Sequence, residues 1–236
     1  EFRRVLFRSR AVIRRVNDLD AKRIETVCDF RTKDVALGGQ GAPLVPVGDE
    51  LLFGEYDSCL NLGGIANISY RADDRRIAYD ISPCNMALNL LANRAGLAFD
   101  EDGRLSRKGS VLPELLQRLN AIRYYGQTPP KSLGKEEFDG EFLPVLQPFI
   151  QDSPLADVAR TVVEHIAAQL AANVPETART LLVTGGGAHH TFLIQQLQKR
   201  KDKLKIVIPE DLDYEDVFDE IFAKYTKKAE LVRTKT

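Results

Sequence analysis

A CxxC pair, a basic excess, a bilayer-length apolar run and a secretory h-region are not found in these 236 residues. Each absence removes a class of function. Thirty-three basic against 34 acidic residues leave a net charge of −1, without the cationic surplus that nucleic-acid binders use to displace counterions. No apolar stretch approaches the roughly 20 residues needed to span a bilayer, and no h-region marks export. The expected partners are therefore neither nucleic acid nor membrane. Cys28, Cys59 and Cys84 are odd in number and widely spaced, which predicts buried free thiols in a reducing cytoplasm rather than disulfides or a metal site. Phosphate-loop signatures fail too. Gly185-Gly186-Gly187 is followed by no Gly-Lys-Ser/Thr, and GxGxxG is not completed.

What is present suits a folded enzyme. At 44% hydrophobic, the chain can bury a sizeable core, as one large domain or two small lobes. The ends read differently from the middle. Residues 1–15 are basic and carry no turn or cap grammar, so we read them as a non-native or fragmentary leader. Residues 199–205 form a charge run, followed by strand-like Ile206-Val207-Ile208 and an acidic helix from Asp211 to Ala223 that reads as solvated surface. The expected division is a remnant N-terminal lobe over 16–79, a C-terminal lobe over 80–200 and a non-family tail over 201–236.

The middle predicts an α/β fold. Helices are expected over Met86–Arg94, Leu112–Leu119, Glu136–Phe149, Leu155–Asn173 and His190–Lys199, with Val162, Val163, Ile166, Ala167 and Leu170 at helical spacing. Strands are expected over Cys59–Leu62, Ala66–Tyr70, Arg76–Ile81 and Leu181–Thr184. Gly63-Gly64 between the first two is a hairpin signal. Asn85, after Pro83, is placed to cap the first helix.

Three strand-turn elements hold the chemistry: Leu60 to Ser69 with Gly63-Gly64, Ile77 to Asn85 with Asp80, and Leu181 to Ala188 with Gly185-Gly186-Gly187. Glycine peptides lack a Cβ and can approach a phosphate closely, and a helix N-terminus adds unpaired N–H groups. A tight turn would account for the same glycines. Asp80, ending an apolar strand, is either a carboxylate aimed at a displaced proton or a turn cap. Gly38-Gly39-Gln40-Gly41 suits close packing against a polar ligand such as a sugar, or a plain loop. Metal motifs are not completed. Asp100-Glu101-Asp102-Gly103 has its glycine too early for a calcium loop, and His189-His190 has no partner cluster for zinc.

Six ordered motifs resemble a known family. They are Cys28-Asp29-Phe30-Arg31 with Asp34 to Pro46, Leu60 to Ser69, Tyr79-Asp80 through Asn85-Met86, Phe99 to Gly103, Pro130 to Phe138, and Val183 to Ala188. Over residues 24–200 the chain resembles the anhydro-N-acetylmuramic acid kinases, bacterial cell-wall recycling enzymes, with Asp-Ile-Ser-Pro-Cys-Asn similar to the Bacteroidetes branch. The resemblance implies an actin/hexokinase-like (ribonuclease H-like) ATPase fold, truncated and of two lobes. It implies ATP and Mg²⁺ as cofactors, an anhydro amino sugar as substrate, and a possible homodimer. In the reaction it implies, water attacks the anomeric carbon, the 1,6-anhydro bridge opens and O6 takes the γ-phosphoryl group, giving N-acetylmuramic acid 6-phosphate.

By the same resemblance Asp80 is the general base. Gly63, Gly64, Asn67, Gly185, Gly186 and Gly187 line the nucleotide cleft, and Arg31, Gln40, Gly41 and Asn85 lie towards the sugar. The family's Gly-Thr-Ser-x-Asp-Gly and His-Gly-Gln-Thr segments have no match here. Nor does its Lys-Glu-Ala-x-x-Phe-Ala helix. The expectation is a kinase fragment with little or no turnover. The alternative is a non-catalytic sugar- or partner-binding module derived from that kinase.

Overall fold

Two glycines turn the chain back on itself at the centre of the fold. Strand β1 (Ser58–Leu62) and strand β2 (Ile65–Ala72) form an antiparallel hairpin closed by the Leu62–Ala66 pair, as the Gly63-Gly64 signal predicts. The computed structural model describes residues 30–38, 41, 43 and 45–208. The leader over 1–15, Cys28, Gln40 and the expected acidic helix over 211–223 lie outside the described residues.

The chain divides into two units, 1–44 and 45–236. The described part of the first holds helix α1 (Phe30–Ala36). The second opens with helix α2 (Pro46–Leu52) and then builds a sheet of five strands in the order β3-β2-β1-β4-β5. Strand β3 (Arg75–Pro83) pairs antiparallel with β2, while β4 (Thr180–Thr184) and β5 (Lys205–Val207) extend β1 in parallel. Only β2 runs against the other four. The result is a mixed sheet with helices between its strands, the α/β class that the sequence pattern predicts. Residues 79 and 80, between which the lobes are expected to divide, are consecutive in β3.

Parallel neighbours need helical crossovers. The passage from β3 to β4 is made by α3 (Asn85–Arg94), α4 (Pro113–Asn120), α5 (Leu143–Asp152) and α6 (Leu155–Asn173); that from β4 to β5 by α7 (Thr191–Arg200). Leu88 and Leu91 of α3 and Val162, Ile166 and Leu170 of α6 are buried in one cluster with Leu60, Leu62, Ile81 and Val183 of the sheet. Helix α6 follows the predicted bounds, because its apolar spacing is unbroken over five turns. Cys59 and Cys84 are buried free thiols, and burial pushes both thiols up to about 12.

Three expectations are corrected. The predicted Glu136–Phe149 helix runs from Lys135 to Asp152 without leaving helical backbone, but it is not uniformly α-helical: Phe138–Phe142 forms a π-helical turn ahead of α5. Pro144 has no N–H to donate where the π-helical turn passes into α5, and α5 carries a second proline, Pro148, in its interior. Asn85 does not cap α3; it is the first helical residue after Cys84, and its Nδ2 donates to Leu62 O at 2.9 Å. Asp80 does not end its strand. Pairing shifts register between Ala66 and Asn67 and continues through Ser82 to Pro83, a proline tolerated because β3 is a sheet edge.

Candidate active site

Asp80 is buried in β3, with Asn67 its cross-strand partner on β2. Its backbone edge is occupied on both sides. Asp80 N donates to Lys131 O at 3.1 Å, and Tyr124 Oη donates to Asp80 O at 2.7 Å. The carboxylate is held by the same incoming loop. Its Oδ2 accepts from Ser132 Oγ at 3.0 Å and from Leu133 N at 2.9 Å. Lys131 is buried beside them, with Nζ over the Tyr124 ring at 4.7 Å, and desolvation lowers its pKa. The 130–138 motif is thus the segment that orients Asp80.

The glycine turns meet at the far end of β1. Gly63 and Gly64 spend their carbonyls on the start of α3: Asn85 N donates to Gly63 O at 3.1 Å, and Cys84 N and Met86 N donate to Gly64 O at 2.9 and 3.0 Å. Those helix amides therefore face the hairpin. The two glycines themselves are uncrowded, since a Cβ on Gly64 would meet only Met86 Cε at 3.9 Å. Gly185 is the opposite case. Its φ is +81°, and a Cβ there would lie 2.5 Å from Asn61 Oδ1 and 2.9 Å from Leu62 backbone. At Gly187 the same atom would lie 2.7 Å from Leu62 Cβ. These two glycines let the turn after β4 settle on β1. Gly186 between them is exposed and free of such crowding.

Gly186 and Asn85 line a cleft of about 560 Å³ together with Leu88, Asn89, Phe99 and Asp102. His190 closes its floor. The expected helix after the glycines begins only at Thr191, after a 3₁₀ turn over Gly186–His189. His190 is the cap, its Nδ1 accepting from Leu193 N at 3.1 Å. That fixes the ring proton on Nε2, which is buried and faces Asp100 Oδ2 at 3.4 Å. Asp100 also accepts from Leu105 N at 2.7 Å and Ser106 N at 3.1 Å. Burial alone would raise its pKa, but the nearby His190 ring and the Leu105 and Ser106 hydrogen bonds outweigh it and hold Asp100 at about 2.

The structure thus brings Gly63, Gly64, Gly185, Gly186, Gly187 and Asn85 around one end of the sheet, with Asp80 and Asn67 on the adjoining strands. Arg31 is exposed on α1, and Gly41 is buried within that first unit. The residues the sequence did not assign are Tyr124, Ser132 and Leu133 around Asp80 and the Asp100–His190 pair in the cleft. The Pro130–Phe138 motif carried the only signal for the former. Nothing links Asp100 to a residue 90 positions on. Among the described residues, no three His, Cys, Asp or Glu side chains cluster as a metal site. None of the described helices is long and apolar enough to cross a membrane.

A family model described as anhydro-N-acetylmuramic acid kinase matches residues 15–224. The chain belongs to that family. It is 40% identical over 186 residues to the anhydro-N-acetylmuramic acid kinase of Aliivibrio fischeri, an alignment covering 74% of this chain and 50% of that protein. The kinase of the same name from Vibrio parahaemolyticus is 42% identical over 184 residues, covering 74% and 49%. The chain spans about half the length of the curated relatives it matches. Among solved structures it is similar to component A of Acidaminococcus fermentans (R)-2-hydroxyglutaryl-CoA dehydratase, at 12% identity and a TM-score of 0.43 over 69% of this chain and 59% of that one.

Proposed function

We propose that this chain carries the general base and part of the nucleotide cleft of an ATP-dependent kinase that hydrolyses the anhydro bond of anhydro-N-acetylmuramic acid and phosphorylates O6. The observation that carries this reading is the fixing of Asp80, by backbone bonds on both sides and two donors on one carboxylate oxygen. A base that must take a proton from water gains from a carboxylate already oriented, since little reorganisation is left for the reaction.

In this reading water attacks the anomeric carbon and passes its proton to Asp80. The bond from that carbon to O6 breaks, and the freed oxygen bonds to the γ-phosphorus as the bridge to the β-phosphate breaks. The uncrowded peptides of Gly63, Gly64 and Gly186 suit approach by phosphate oxygens, with Asn67 beside them. Gly185 and Gly187 serve the nucleotide by shaping that turn. Asn85 faces the same cleft, and Arg31, Gln40 and Gly41 are assigned to the sugar. Mg²⁺ would shield phosphate charge. The described residues offer no cluster of three His, Cys, Asp or Glu side chains to hold it. A cytoplasmic homodimer acting on small molecules is the accompanying proposal.

The chain by itself is expected to turn over little or no substrate. Mass spectrometry of the sugar after incubation with ATP and Mg²⁺ measures this. Where turnover is observed for this sequence, Asp80→Asn should lower it by roughly 10²–10⁴ while leaving ATP binding intact. Unchanged turnover removes Asp80 from the chemistry.

A further inference from the structure

A buried histidine outside the candidate base's own contacts forms part of a polar chain leading back to its strand. His165 on α6 is 2% exposed. Its Nδ1 lies 2.8 Å from Asn120 Oδ1, and its Nε2 lies 2.6 Å from Tyr125 Oη. Tyr125 Oη is in turn 2.9 Å from Ser82 Oγ, two residues along β3 from Asp80.

The proton positions follow from the partners. Asn120 is assigned with Oδ1 towards both His165 Nδ1 and Gln169 Nε2, the latter at 3.3 Å, and in that orientation it accepts from both. His165 therefore carries its proton on Nδ1 and accepts at Nε2. Tyr125 must donate to it, which leaves the tyrosine oxygen to accept from Ser82 Oγ, whose single proton is shared with Pro83 O at 3.1 Å. The chain runs one way, from β3 to α6. The neighbouring Tyr124, in the same 3₁₀ turn over Arg123–Gly126, donates to Asp80 O at 2.7 Å. One turn thus grips both alternate residues of β3.

We propose that His165 is a positioning residue for Asp80: by orienting Tyr125 it fixes Ser82 and the 123–126 turn, and with them the strand segment on which Asp80 stands. The catalytic consequence rests on the reading of Asp80 as base; the positioning does not. His165 touches neither the cleft described above nor Asp80 itself, and of its two side-chain partners Tyr125 is the one that reaches β3.

The test is site-resolved amide hydrogen exchange on the 236-residue chain. Tyr125→Phe keeps the ring and deletes the hydroxyl. His165→Leu deletes the acceptor, and His165→Gln returns one. In the first two variants the amides of Asp80 and Leu133 should exchange roughly tenfold faster relative to Leu60 in the sheet centre, about the net worth of one hydrogen bond. His165→Gln should restore most of that ratio. A general loss of stability would move Leu60 equally, so an unchanged ratio overturns the proposal, as does a failure of Gln to restore it. Nitrogen chemical shifts of the unsubstituted chain give a second check that needs no variant. A proton on Nε2 instead of Nδ1 overturns the direction of the chain. If the exchange pattern holds but Asp80→Asn leaves turnover unchanged, the positioning stands and the base assignment alone falls.

Discussion

Tyr124 Oη donates to the backbone carbonyl of Asp80 at 2.7 Å, from 44 residues away in sequence. Asp80 lies on an edge strand, and this bond joins that edge to the loop before α5.

Removing it should be costly out of proportion to one oxygen atom. Tyr124→Phe leaves the ring in place, including its contact with Lys131 Nζ at 4.7 Å. It also leaves Asp80 O buried without that donor. The cost of an unsatisfied buried acceptor is about 1–3 kcal/mol, which for a chain of this size lowers the melting midpoint by roughly 2–4 °C per kcal/mol. Thermal unfolding of the variant measures it. A change below about 0.5 kcal/mol would mean that water or another donor replaces the hydroxyl.

The glycines separate into two classes that alanine can distinguish. Gly185→Ala places a Cβ 2.5 Å from Asn61 Oδ1 at a φ of +81°, so both strain and collision oppose it, at a cost of about 1–3 kcal/mol or more. Gly64→Ala meets nothing closer than 3.9 Å and should change stability by only a few tenths of a kcal/mol. If Gly64 faces a phosphate, its variant should nevertheless weaken ATP binding. Denaturant midpoints and nucleotide titrations of the two variants check both halves.

His165 makes stability fall on acidification. Burial pushes its pKa down from the ordinary 6.5 to about 3. Between those values the unfolded chain binds a proton that the folded chain refuses, so the unfolded state gains as pH drops. Above pH 6.5 the group contributes no slope. Below it, up to about 1.4 kcal/mol is lost per pH unit until pH approaches 3. Unfolding curves from pH 7 to pH 4 for the native chain and His165→Gln isolate this component, because the other titrating groups are common to both. Parallel pH profiles would show that His165 is reached by water.

The sheet was legible because its signals are local. Four strands and the Gly63-Gly64 hairpin come from short apolar runs and turn glycines, and α6 from an unbroken apolar period. The order of the strands is not written in those runs, but the motif order supplied the family and with it the topology. Gly185 was legible as special and less so as to why, since its collision with Asn61 and Leu62 depends on β4 lying beside β1. The partners of Asp80 were harder still. Tyr124, Ser132 and Leu133 lie 44 to 53 residues away, and a single sequence carries no term for pairing at that distance. The π-helical turn within the Glu136–Phe149 helix has a local mark in Gly140 and Pro144, yet the apolar pattern runs straight through both.

The Asp100–His190 pair gives the cleft its own acid signature. Asp100 is held at about 2, below its ordinary 3.8, once the nearby His190 ring and the backbone hydrogen bonds overcome its burial. Its contribution is therefore complete above pH 3.8 and is lost as pH falls towards 2. Asp100→Asn cannot satisfy the same partners. Leu105 N and Ser106 N donate to it and His190 Nε2 lies 3.4 Å away, whereas the amide offers one oxygen and turns a second set of donors towards them. The variant should lose about 1–3 kcal/mol at pH 7, and the gap to the native chain should narrow as the carboxylate is protonated below pH 3. Because the loop it anchors carries Phe99 and lines the cleft with Gly186, ATP affinity should fall together with stability if that cleft holds the nucleotide. A variant that loses stability but binds ATP unchanged would place the nucleotide elsewhere.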